Sequence, residues 1–119
     1  MKIGIDIVEV KRIKKLLSQK KFLIRVFSQR EIDYCERFKN KEERYAGKFA
    51  AKEAFIKAFK STSNINFNLK DIEILNDEGG NPYVFVDGFN IEGSLSISHT
   101  SSTAVAVFIL EKYNERNKD

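Results

Sequence analysis

The chain has 119 residues, 42% of them hydrophobic, which is length for one domain over residues 1–119 with a real if small core. No apolar run approaches the ~20 residues that span a bilayer, Asp6 argues against a signal peptide, and the lone Cys35 excludes an internal disulfide, so a reducing cytoplasm is the expected compartment. Residues 1–60 hold 17 Lys and Arg against 8 Asp and Glu, and residues 61–119 hold 4 against 9, so a half of net +9 adjoins one of −5. Such a split points to an acidic partner for the first half: nucleic acid, an acidic protein or a polyphosphate.

In chain order, Lys2 to Val8 is a β-branched run and is expected to be a strand. Alternation puts Ile3, Ile5 and Ile7 on one face and Gly4, Asp6 and Val8 on the other. Asp6 is thus a carboxylate in mid-strand, either at a partly exposed edge or in a site, since an unpaired buried charge is costly. From Glu9 the period changes: Val10, Ile13, Leu16 and Leu17 mark an amphipathic helix, and Lys20 and Lys21 extend its basic face. Ser28 and Glu31 form a capping-box signature for a helix expected to reach about Phe38. Asn40 and Glu43 repeat that pattern before a long helix running to about Lys60.

The long helix is apolar over most of its circumference. Tyr45, Phe49, Ile56 and Phe59 make one stripe, and Ala46, Ala50, Glu53 and Lys57 make an adjoining strip of small residues with two charges in it. Taken alone, Glu53 and Lys57 at i, i+4 read either as a surface pair worth a few tenths of a kcal/mol or as a metal-binding carboxylate beside a lysine for an anionic substrate. After a loop at Ser61–Asn64, strands are expected at Asp71–Leu75, Tyr83–Val86, Leu95–His99 and Ala104–Leu110, with a tail that frays after Glu111. The class is α+β, with a small antiparallel sheet packed against a long helix.

Three polar clusters stand out: Asp6, the Glu53–Lys57 pair, and Ser96-Ile97-Ser98-His99-Thr100 at a hairpin. Two carboxylates suit Mg²⁺, which takes one or two protein carboxylates and completes its shell with water and phosphate oxygens. A lone His among hydroxyls suits phosphate contacts or proton shuttling. Cys35 with His99 falls short of a zinc ligand set, and no glycine-rich phosphate loop is present.

Four ordered segments, Gly4-Ile5-Asp6-Ile7-Val8-Glu9-Val10-Lys11-Arg12-Ile13, Phe27-Ser28-Gln29-Arg30-Glu31, Gly47-Lys48-Phe49-Ala50-Ala51-Lys52-Glu53-Ala54 and Ser96-Ile97-Ser98-His99-Thr100, resemble the signatures of the holo-acyl-carrier-protein synthase family. These are the short, single-domain 4′-phosphopantetheinyl transferases. The resemblance implies transfer of the 4′-phosphopantetheine arm of coenzyme A to a serine of apo acyl carrier protein, for fatty acid biosynthesis. It implies Asp6 and Glu53 as Mg²⁺ ligands, with one of them taking the serine proton directly or through water. It also implies Lys57 beside the pyrophosphate as acid for the leaving phosphate. Lys48, Lys57, Pro82, Ser98, His99 and Thr100 match coenzyme A contacts, and Arg12 and Arg25 match the docking surface for the acidic carrier. It further implies a homotrimer with each site between two subunits, which would account for a helix apolar nearly all round. The family usually has Arg where this chain has Lys48, and a lysine cannot make the bidentate phosphate contact of a guanidinium.

Two other readings stand beside it. A nucleic-acid-binding module would use the basic half and the ten Phe, although those Phe recur at core-facing positions. An adaptor with a dead site would not need Asp6, Glu53 and Lys57 together.

Overall fold

The computed structural model describes residues 1–60 and 62–116. Strand β1 (Lys2–Glu9) leads into helices α1 (Val10–Leu17), α2 (Lys20–Val26) and α3 (Gln29–Cys35), then the long helix α4 (Lys41–Lys60). A 3-10 turn (Leu69–Asp71) precedes β2 (Ile72–Asn76), β3 (Pro82–Val86), β4 (Phe89–His99) and β5 (Thr103–Glu115). Two antiparallel sheets result: β1-β5-β4, and the ribbon β2-β3. The α+β reading holds.

Several boundaries differ from the sequence reading. The basic helix breaks at Ser18, whose hydroxyl bonds back to the Lys15 carbonyl, so Lys20 and Lys21 open a second helix. The helix capped by Ser28 ends at Cys35, three residues before Phe38. Strand β4 begins at Phe89, and β5 continues to Glu115 because Phe89 to Glu92 pair with it there. The tail is therefore ordered past Glu111; Ser61 and residues 117–119 lie outside the described residues.

Helix α4 lies across the inner face of the larger sheet, against β1 and β5, and is flanked by α1, α3, β2 and β4. Ala46, Ala50, Ala51, Ala54 and Ala58 are fully buried along it. The helix is apolar all round because its own chain covers it on several sides. This corrects the expectation that a partner subunit would account for that pattern. The apolar surface left open is elsewhere: Ile3, Ile5 and Ile7 are 63%, 57% and 70% exposed on the outer face of β1. They pair with Ile109, Val107 and Val105 of β5 on that face.

One buried ion pair ties the layers together. Lys52 Nζ donates to Glu31 Oε1 (2.7 Å) and to the carbonyls of Leu69 (2.8 Å) and Ile72 (2.5 Å), which uses all three ammonium protons. Glu31 also accepts from the Ser28 and Ile74 amides. A capping residue of α3 is thus the anchor for α4 and β2. Phe27, Phe49, Phe55, Phe59 and Phe108 are buried, and no Phe is among the exposed large apolar residues, so the stacking row of a nucleic-acid reader is absent from the described residues.

Candidate functional site

Asp6 reaches the site because β1 presses onto α4. A Cβ added at Gly4 would run into the carbonyl oxygen of Ala54, so glycine there permits the close approach. The strand meets the helix at Ala54 and Ala58, beside the strip that carries Glu53 and Lys57. Two residues beyond Gly4 on the same face, Asp6 faces the Lys57 ammonium at 3.1 Å, and that ammonium also donates to the Ile5 carbonyl at 2.9 Å. Lys57 therefore pairs with the strand and not with Glu53 one turn away.

Burial pushes the Glu53 carboxyl above the ordinary carboxylate range, and the Asp6 charge adds to this, while Lys57, Arg12 and Lys60 act in the opposite direction. A half-buried carboxyl whose ionisation is made costlier by a neighbouring charge of the same sign favours a cation beside it. No third Asp, Glu, His or Cys joins them in a metal-binding group among the described residues. Two hard oxygen ligands with open positions fit Mg²⁺ and do not fit zinc. Cys35 is buried, which pushes its thiol up to about 12, so it is no nucleophile.

Nearer the start of α4, on the face that β1 also meets, β4 brings up His99. Here a Cβ on Gly47 would meet Ile97 at 3.0 Å, so the strand packs close to the helix. Ile97 and His99 share a face of β4, and Glu43 is one helical turn before Gly47. As a result His99 Nδ1 lies 2.8 Å from Glu43 Oε1. They border a cavity of about 130 Å³ with Tyr34, Arg44, Lys48, Asn76 and Pro82.

Of the sequence-predicted contacts, Lys48, Pro82 and His99 meet at this cavity. Lys48 is 4% exposed, and its ammonium already donates to the Ile74 carbonyl and Asn76 Oδ1 beside the Tyr34 ring, so it braces the wall. Ser98 is on the opposite, exposed face of β4, paired with Val105. Thr100 is in the hairpin turn, where its hydroxyl accepts from the Ser102 and Thr103 amides. Arg12 on α1 stacks over Phe49 and acts on Glu53, whereas Arg25 ends α2 beside Phe67 and Lys70. Glu43, Arg44, Tyr34 and Asn76 line the cavity without a sequence signal that marks them, and Glu43 looks in sequence like half of a capping box.

A family model described as the 4′-phosphopantetheinyl transferase superfamily matches residues 2–111. The chain is 42% identical over 119 residues to a holo-[acyl-carrier-protein] synthase of Clostridium tetani, covering 92% of this chain and 94% of that protein. Among solved structures, a holo-(acyl-carrier-protein) synthase from Bacillus anthracis in complex with CoA (3′,5′-ADP) is 38% identical with a TM-score of 0.76, covering 92% of this chain and 94% of that one. The Helicobacter pylori holo-[acyl-carrier-protein] synthase in complex with coenzyme A is 33% identical with a TM-score of 0.79, covering 92% and 99%.

Proposed function

The chain belongs to the 4′-phosphopantetheinyl transferase superfamily, and from that premise we infer that it acts as a holo-[acyl-carrier-protein] synthase. It moves the 4′-phosphopantetheine of coenzyme A to a serine of apo acyl carrier protein and releases adenosine 3′,5′-bisphosphate. The observation that carries the chemistry is the meeting of Asp6 and Lys57 beside Glu53.

The serine oxygen forms a bond to the phosphorus of the phosphopantetheine while the bridging P–O bond of the pyrophosphate breaks. Glu53 or Asp6 takes the serine proton, directly or through water. Lys57 gives a proton to the leaving oxygen. Asp6 and Glu53 would hold Mg²⁺, which when bound would supply neutralisation of the diphosphate charge. The chain's own contribution is chiefly to position and to complement charge.

We also read the site as shared between subunits of a homotrimer. Asp6 and His99 are on the two outer strands with β5 between them and two residues out of register, roughly 12 Å apart at ~4.8 Å per strand and ~3.4 Å per residue. Glu53 and Glu43 are ten residues apart on α4, about 15 Å along a helix. The acid cluster and the His99 cavity thus lie about two to three turns apart along one helix, and a partner's half brought to each would complete a substrate-sized site. The exposed Ile3, Ile5 and Ile7 face supports such an assembly. Lys48, Pro82 and His99 then contact coenzyme A from the cavity, with Ser98 and Thr100 reaching it from the outer face and the turn. Arg12 and Arg25, on the basic surface of α1 and α2, receive the acidic carrier.

The enzyme would then serve fatty acid biosynthesis in the cytoplasm. No helix among the described residues is long and apolar enough to cross a membrane. Incubation with coenzyme A, Mg²⁺ and apo acyl carrier protein should raise the carrier's mass by one phosphopantetheine. No gain, or a gain unaffected by chelation, would remove the transfer or the Mg²⁺ dependence respectively.

A further inference from the structure

We propose that Glu43 is a positioning residue for the nucleotide end of coenzyme A, acting through His99; this deepens the function inferred above and rests on it. A carboxylate bordering a cavity for an anionic ligand needs a reason to be there. Glu43 is the only acidic side chain among those lining this cavity, beside Arg44 and Lys48 from the same helix and Tyr34 from α3. Its carboxylate does not make the capping bond to the helix start. Its Oε1 meets His99 Nδ1 at 2.8 Å, with the two side chains 21% and 25% exposed.

That contact sets the proton positions on the ring. A carboxylate oxygen only accepts, so Nδ1 carries the hydrogen and Nε2 is the nitrogen left for a ligand. Nε2 has no partner among the described residues. A ring that donates to Glu43 through Nδ1 and to a phosphate oxygen through Nε2 is an imidazolium, held between two anionic groups. The carboxylate turns the ring and balances its charge, as carboxylates behind metal-bound histidines do.

The neighbouring cations differ in their availability. The Lys48 ammonium is engaged with Ile74 and Asn76, and the Arg44 guanidinium stacks 4.0 Å from the centre of the Phe38 ring with its Nε buried and unpartnered. His99 is therefore the cavity's adjustable donor, and Glu43 decides its orientation.

His99 is the chain's one histidine, so ¹⁵N imidazole spectra report it without assignment. The unliganded protein should show the Nδ1–H tautomer at a pH where the ring is neutral, and both nitrogens should move to the protonated range when adenosine 3′,5′-bisphosphate is added. Glu43→Ala should restore the Nε2–H form that a free neutral imidazole favours. Glu43→Ala and Glu43→Gln should each raise the KM for coenzyme A roughly tenfold with kcat nearly unchanged, and Glu43→Asp should recover part of the loss. An unchanged KM in Glu43→Gln, or an Nε2–H tautomer in the unsubstituted protein, overturns the proposal. A fall in thermal midpoint with no change in KM also overturns it, because that is the signature of a structural role alone. Absence of transfer by the unsubstituted chain overturns the function it rests on, and is separable because the spectra do not depend on turnover.

Discussion

Lys57 donates to Asp6 at 3.1 Å across a sequence separation of 51 residues, and the same ammonium is bonded to the Ile5 carbonyl. The lysine thus bridges strand and helix where Asp6 comes within electrostatic reach of Glu53. Its side chain is 55% exposed while that of Asp6 is 17% exposed, so it can swing away without disturbing the strand. Replacing a carboxylate here by its amide removes the charge with little change of shape.

Asp6→Asn and Glu53→Gln should each lower the transfer rate on the order of a hundredfold or more, because charge complementarity at the leaving group is lost. Titration calorimetry should show Mg²⁺ binding lost in both. Glu53→Gln should also raise the thermal midpoint slightly without Mg²⁺, since burial and the Asp6 charge hold its carboxyl above the ordinary range. An active variant that still binds Mg²⁺ would remove that residue from the ligand set.

Arg25→Glu is the cleaner test of carrier docking. Arg12 acts on Glu53 and stacks on Phe49, so a charge reversal there reaches the acid cluster as well as the surface. Arg25→Glu should raise the carrier's KM and weaken its salt dependence while leaving the KM for coenzyme A nearly unchanged, because exposed charges are screened over ~8–10 Å. Arg12→Glu should lower kcat too. Equal effects of both variants on both substrates would overturn a dedicated docking surface.

Ile7→Lys should disrupt assembly. Ile7 is 70% exposed in the isolated chain and lies on a face shared with Ile5, Val105 and Val107. Light scattering should show the parent as a trimer and the variant shifted toward 13.7 kDa with transfer reduced. A monomeric, active parent would remove the shared site.

Acid stability should depend on Glu73. Burial pushes its carboxyl up, but hydrogen bonds from Arg30 and Ser28 outweigh this and hold it below the ordinary value. A depressed carboxyl contributes stability above its unfolded pKa, and that contribution is lost as pH falls through the folded value. Glu73→Gln should therefore cost about 1 kcal/mol at neutral pH, a modest figure because Arg30 is largely exposed, and the difference from the parent should shrink below about pH 4.5. A difference constant down to pH 3 would contradict this.

Lys52→Met should be the most damaging core substitution. It leaves Glu31, which is 0% exposed, without its ion-pair partner and frees two buried carbonyls. Breaking one side of such a pair costs about 3–5 kcal/mol, read as a shifted denaturant midpoint. A loss under about 1 kcal/mol would mean that water replaces the ammonium.

Local patterns alone determined the α4 helix, the first strand, the Ser28 cap and the two-faced alternation of β1, because each depends on residues a few positions apart. The four motifs also carried the family and with it the reaction. Which face of β1 is covered was not local. Ile3, Ile5 and Ile7 look like the core face by composition, yet the chain buries Gly4 and Val8 because only the glycine side lets the strand close on the α4 backbone. Lys48 and Lys52 are buried because β2 and the 3-10 turn, more than fifteen residues away in the chain, supply carbonyls to receive them. Glu43 read as a cap until β4 brought His99 to it. Charge and hydrogen-bond partners tens of residues apart leave no periodic trace in the chain, so only the packed structure decides which polar groups meet.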